Sequence, residues 1–254
     1  MKNFVDKNSI VREIWGNSDT ILLIFAGASA EFALNKAVDW LYFTGRLPKD
    51  PLGRLFSTVS YARQIVFSEK ESAYKAIETI NNIHHSVEKK RGQSIPDWAY
   101  RDVLFMLIDY SIRSFELLER QLETHERHDI FNVFLEVGKR MHIKDLPQDY
   151  EAFKHMRHHH IKHHLYNGEF TKNLYKQYRK HLGFMRYRLL LESQILIVPK
   201  AVCQLLELRN VSLISPLISL YKFSRLIHLD RLLKAMILPS NYKEDIKSLN
   251  HLNS

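Results

Sequence analysis

Histidine is the residue type with the most chemical potential in this sequence. Fourteen occur in 254 residues, six of them between positions 155 and 164. On a helix, His155, His159 and His163 are spaced i, i+4, i+8, and His160 and His164 form a second i, i+4 pair. Such pairs can chelate zinc, nickel or copper. The run lacks the glutamate of a metalloprotease His-Glu-x-x-His, and Arg157 and Lys162 inside it point to a solvated basic face. His84 lies one helical turn from Ile80 and close to Val87, so it faces the apolar side of its helix. There it is either a core histidine or a metal ligand. His85 points about 100° away, toward solvent or Glu88.

Three other positions carry chemistry. Arg54 and Thr58 are at i and i+4 and share a helix face, and Tyr61 follows one turn later. A guanidinium there can bind a carboxylate on a ligand or anchor a loop to its helix. Glu31 and Asp39 are acids with apolar flanks. A carboxylate in such surroundings finds a partner or stays protonated. Glu31 therefore pairs with a cation such as Arg54, or serves as a base. No Ser-His-Asp order, P-loop or Rossmann fingerprint offers another reaction class.

The elements that must position these residues are helices. With only 8 Gly and 7 Pro, and many Leu, Lys, Glu and Arg, the chain favours long helices over a turn-rich β-fold. Ser9 is the expected cap of a first helix through Trp15. A second, apolar around most of its circumference and therefore central, is predicted from Asp19 or Thr20 to about Thr44, with Gly45 as its end. After the loop GRLPKDPLG come Arg54 to Phe67, then Ser68 to Arg91 with Ser68 and Glu71 at capping-box spacing. Asp97 is expected to cap a helix to about Leu122. His125–His142 and Tyr150–Tyr166 follow. Thr171–Leu182 is interrupted by Gly183, and Phe184 onward continues to a break or kink at Pro199. Pro216 and Pro239 bracket a last helix. Glu116, Glu119, Arg120 and Glu123 read as a solvent face with helix ion pairs, and Tyr175, Tyr178, Phe184 and Tyr187 as core or interface aromatics.

The fold class is thus all-α: a single multi-helix domain over residues 1–254. The only boundary signal, near Gly168, is rejected because apolar helices continue on both sides. A chain of this length can bury roughly three quarters of its unfolded surface, so its core needs no staples. Its 45% hydrophobic and 26% charged content is that of a globular protein. The lone Cys203 sits in an apolar stretch and excludes an internal disulfide. No signal-peptide core is evident, and a cytoplasmic location is expected. Ile21–Leu34 is too short and too polar for a transmembrane helix. The net charge of +9 is spread among acids, with no nucleic-acid motif, which argues against nucleic acid as a partner and for a solvated surface. Attraction to an anionic membrane surface is a second reading of that charge. The oligomeric state is not readable.

Five landmarks stand in a fixed order between residues 20 and 150. They are the helix LLIFAGASAEFALNKAVDWLYFTG, Arg54-Leu55-Phe56-Ser57-Thr58, Ile83-His84-His85-Ser86-Val87, the segment Ile95 to Phe105, and Val137-Gly138-Lys139-Arg140-Met141-His142-Ile143-Lys144-Asp145-Leu146-Pro147. Together they resemble the MpaB and rubber-oxygenase (latex clearing protein) family, with its Arg-x-x-x-Thr, His-x-x-Val and Leu-Pro signatures. Residues 168–254 resemble it only in being helical and apolar.

The resemblance implies a globin-like helical core around a buried apolar pocket holding haem b. It makes His84 the proximal iron ligand and places Arg54, Thr58 and Tyr61 in the same pocket. Glu31, or else Asp39, becomes a candidate catalytic base, with Arg54 and Thr58 the other candidate catalytic residues. Implied reactants are dioxygen and an apolar, isoprenoid-like substrate. Where the rubber oxygenase has a distal lysine, this chain has Ser57. Two alternatives remain open: a non-catalytic helical protein that binds haem or a hydrophobic ligand, and a metal protein built on His155, His159 and His163.

Overall fold

The computed structural model describes residues 2–43, 45, 49–216, 218 and 221–222, without the side chains of Leu41, Pro51, Leu52, Arg54 and Leu55. The described residues form ten helices and no strand: α1 (Ile10–Gly16), α2 (Ser18–Leu34), α3 (Val38–Phe43), α4 (Pro51–Phe67), α5 (Lys70–Arg91), α6 (Asp97–Leu118), α7 (Thr124–Arg140), α8 (Tyr150–His163), α9 (Glu169–Ile197) and α10 (Lys200–Leu205). The all-α expectation holds. The helix expected between Pro216 and Pro239 falls largely outside the described residues.

The central helix is α2, with fourteen of its seventeen residues buried. It lies chiefly between α6 and α9. Its run Ala26-Gly27-Ala28-Ser29-Ala30 is small enough to let neighbours approach closely. A Cβ at Gly27 would stand 2.4 Å from the Tyr110 ring on α6, so this position has room for a hydrogen atom only. Asn17 caps the helix, its side chain accepting from Asp19 N at 2.9 Å.

The predicted helix from Asp19 or Thr20 to Thr44 is in fact broken at Asn35. That residue is extended (φ −65°, ψ 133°), and its side chain accepts from Ala37 N at 2.8 Å. Lys36 N donates to His164 O and Tyr166 N donates to Leu34 O, each at 2.9 Å. Hydrogen bonds to a distant segment replace the helical ones, which is tertiary context overriding a continuous apolar pattern. The break also brings the end of α2 against the end of α8.

Other boundaries shift for similar reasons. α5 begins at Lys70 without a side-chain cap. Its start is instead pinned by the N-terminal segment, with Lys70 N donating to Lys2 O and Phe4 N to Ser68 O. The expected Ser68–Glu71 capping box is therefore absent. A capping box forms instead at Glu123 and Glu126, opening α7. α6 stops at Leu118 rather than Leu122. Gly183 does interrupt: its φ of 71° and ψ of 178° kink α9, a left-handed φ that glycine adopts readily. Pro199 caps α10.

Candidate functional site

The basic and histidine-rich run on α8 does not form a solvated face throughout: Arg157 is 5% and His160 1% exposed. Positions 157, 160 and 164 are spaced i, i+3, i+7 and turn toward α2 and α6. Buried charge must be paired, and here it is. Glu31 on α2 is fully buried and takes Arg157 Nη1 at 2.6 Å. Arg157 Nη2 and the Tyr110 hydroxyl donate to its other oxygen. The same guanidinium reaches Asp109 on α6 through Nε at 3.0 Å and Nη2 at 2.9 Å. His160 Nε2 lies 3.2 Å from Glu31 Oε1.

A second carboxylate completes the cluster. Asp102 on α6 is 2% exposed. Its Oδ2 lies 2.7 Å from His160 Nδ1 and 2.9 Å from His164 Nδ1, with Asn35 Nδ2 at 3.4 Å. The Nδ1 of His160 is buried, and its close contact is the 2.7 Å ion pair with Asp102. One ligand atom from each of Asp102, His160 and His164 lies within 4.8 Å of the others, a grouping that could hold a metal ion. His155, His159 and His163, the histidines whose spacing suggests a metal set, do not join it: His155 and His159 are exposed, as is His163.

The electrostatics follow from this pairing. Burial pushes the Glu31 carboxyl up, but the Arg157 charge and the hydrogen bonds from Arg157 and His160 outweigh it, leaving Glu31 well below the usual carboxylate range. Burial lowers His160, but its contacts with Asp102 and Glu31 raise it above the ordinary histidine value. Tyr110 is pushed well up by burial and by the Glu31 charge.

The other residues singled out from the sequence lie on α4 and α5, which pack against each other. His84 is half-buried on α5, its ring 5.0 Å from that of Tyr100 on α6. The fully buried residues of α5 are Ala73, Ala76 and Ile77, all in its first third. Beyond them the apolar side is covered only in part: Ile80, His84 and Val87 are half-buried, and Ile83 is 42% exposed. His85 is exposed and contacts Asn81 O at 2.9 Å rather than Glu88. Thr58 and Tyr61 are half-buried on α4. Arg54 lies on the first turns of α4, and its side chain is outside the described residues. The guanidinium on Glu31 is that of Arg157. Asp39 is held by Arg91 at 2.6 Å.

Sequence comparison decides the kinship of this arrangement. The family model for the catalytic domain of the ER-bound oxygenase mpaB/B′ and rubber oxygenase matches residues 15–229. The chain belongs to this family. The match spans α2 through α10 and so extends well past residue 150, where the recognisable landmarks end. Neither the curated proteins nor the solved structures compared with the chain contain a match. Membership in a family of oxygenase catalytic domains makes oxygenase-type chemistry the function class. No helix among the described residues is long and apolar enough to cross a membrane.

Sequence reasoning paired His160 with His164 but missed Asp102, Arg157 and Tyr110 as their companions. The signal for Asp102 is weak: an acid seven residues before Asp109, so that both fall on one side of the helix.

Proposed function

We propose that this member of the oxygenase family is a haem b-dependent oxygenase acting on an apolar, isoprenoid-like substrate, with His84 as the protein ligand to the iron. The observation that carries the reading is the position of His84. It stands on a stretch of α5 where an apolar stripe, Ile80, Ile83 and Val87, is left partly uncovered by the described residues. A flat apolar cofactor would complete that cover, and an imidazole is a fitting axial donor. An imidazole set in a partly uncovered apolar stripe is the feature that supports the group.

Haem, when bound, supplies the activation of dioxygen, chemistry that side chains alone cannot perform. The chain supplies the rest. His84 fixes the cofactor from α5. Thr58 and Tyr61, half-buried on α4, would line the same space, and Arg54 at i−4 from Thr58 would supply a guanidinium suited to a propionate carboxylate. Ser57, where the rubber oxygenase has a lysine, would be a poor iron ligand. Ile80, Ile83 and Val87 would offer an apolar surface to an alkene-like chain. We assign Glu31 a positioning role: its oxygens hold α8 to α2 and α6 through Arg157, Tyr110 and His160. An ionised, saturated carboxylate of that kind is a weak base.

The test is dioxygen uptake by the full chain, expressed with a haem precursor, against a series of apolar alkenes that includes a short polyisoprene. Haem-dependent uptake that rises with alkene length is expected. A haem-loaded protein that consumes no oxygen with any of them would sink the oxygenase reading, and a protein that takes up no haem would sink the cofactor assignment.

A further inference from the structure

We infer that Asp102, His160 and His164 form a second, non-haem site for a divalent first-row transition-metal ion. Three observations converge on it. The first is composition: two imidazoles at i and i+4 at the end of α8 and one carboxylate from α6 make a two-histidine, one-carboxylate set, of the kind that binds iron(II) or zinc with positions left over for other ligands.

The second is geometry. Metal bonds of about 2.0–2.2 Å place neighbouring ligand atoms about 3.0–3.4 Å apart. Asp102 Oδ2 stands 2.7 Å from His160 Nδ1 and 2.9 Å from His164 Nδ1, and all three ligand atoms lie within 4.8 Å of one another. The Nδ1 of His160 is fully buried, with no hydrogen bond other than its 2.7 Å contact to the Asp102 carboxylate.

The third is the surrounding shell. Metal-bound histidines usually donate their other ring N–H to a carboxylate, which fixes the tautomer and strengthens the ligand. Glu31 Oε1, 3.2 Å from His160 Nε2, is placed to do this. Glu31 is itself held by Arg157 and Tyr110, and Asn35 approaches Asp102. Access comes from one side: the His164 side chain is 22% exposed, against 1% for His160 and 3% for Asp102. Its ring lies 4.6 Å from that of Trp98, which forms a wall.

The site is independent of the haem reading, and its test reads the metal alone. Titrate the full chain with Zn²⁺ by calorimetry and with Co²⁺ by visible absorption, whose bands report nitrogen and oxygen ligation. One ion per chain should bind. His164→Gln, a change at the partly exposed ligand that leaves the Glu31 network intact, should abolish the Co²⁺ bands. Asp102→Asn should do the same. Glu31→Gln should weaken binding about 10- to 100-fold, as loss of a supporting carboxylate does. The exposed pair His159 and His163, with rings 4.4 Å apart, is the competing source of affinity. In His159→Ala/His163→Ala the ion should still bind. Binding lost in that double variant but kept in His164→Gln would overturn the proposal, as would a wild-type chain that takes up neither ion.

Discussion

Removing Arg157 should destabilise the protein more than any other single change at a charged residue in the buried network. Its guanidinium donates to both oxygens of Glu31 and twice to Asp109. At about 1.5–3 kcal/mol for each hydrogen bond to a charged group, a simple sum overshoots. After Arg157→Met, Glu31 keeps Tyr110 and His160, and Asp109 keeps Arg113 at 2.8 Å. The cost should therefore be about 3–5 kcal/mol, the range for breaking a buried ion pair from one side. For a chain of this size that is a fall in Tm of about 6–20 °C. Glu31→Gln retains an acceptor oxygen and leaves Arg157 paired with Asp109, so it should cost only about 1–3 kcal/mol. Because the two share hydrogen bonds, the double variant should cost less than the sum of the singles, with a coupling near ~2 kcal/mol. Urea unfolding followed by far-ultraviolet circular dichroism measures all three. The pH dependence has a definite sign. Glu31 is held below its ordinary value of 4.5, so its contribution is complete above about pH 4.5 and is lost as the pH falls below it. An Arg157→Met variant within about 1 kcal/mol of wild type, or a coupling below about 0.5 kcal/mol, would refute this reasoning.

Two further outcomes test the packing and the surface electrostatics. Gly27→Ala gains helix propensity but drives a Cβ to 2.4 Å from the Tyr110 ring, which its hydroxyl tethers to Glu31. Overpacking of about 1–3 kcal/mol should win, lowering Tm, and Tyr110→Phe in the same background should recover part of the loss; an unchanged or raised Tm for Gly27→Ala contradicts it. Glu126 is held at about 2, first by its hydrogen bonds from Arg120, at 2.7 Å to each oxygen. Its contribution is complete above about pH 4.5 and disappears as pH falls toward 2. The Tm gap between wild type and Glu126→Gln should therefore close on acidification, and a gap constant with pH would show that Glu126 contributes through packing instead.

Much of the helical frame is readable in the residues because its breaks are local. Ser9 caps α1, Gly183 kinks α9, Pro199 starts α10, and the glycine after Arg91 ends α5 in a left-handed turn with φ 70°. Each acts through its own backbone chemistry. What escapes is set by distant partners. Nothing within residues 19–44 says that the backbone of His164 and Tyr166 will take the hydrogen bonds of residues 34–36 and end α2 at Leu34. The burial of Arg157 and His160 escapes for the same reason. In a run so rich in basic and histidine residues, a solvated face is the natural expectation, and only Glu31, Asp102 and Asp109 on two other helices make burial possible. Glu31 itself is identifiable as an acid that needs a partner; the identity of that partner, 126 positions away, is not. The Glu116–Arg120 stripe likewise forms its ion pairs with Arg127 and Glu126 across the turn into α7 rather than along one helix.

The position of His84 is best tested by its spectrum. The full chain loaded with haem should show a Soret band, and His84→Ala should lose haem or shift the band, with added imidazole restoring the wild-type spectrum. His85→Ala, one position along and solvent-facing, should leave it unchanged. A Soret band identical in wild type and His84→Ala would contradict ligation by this residue.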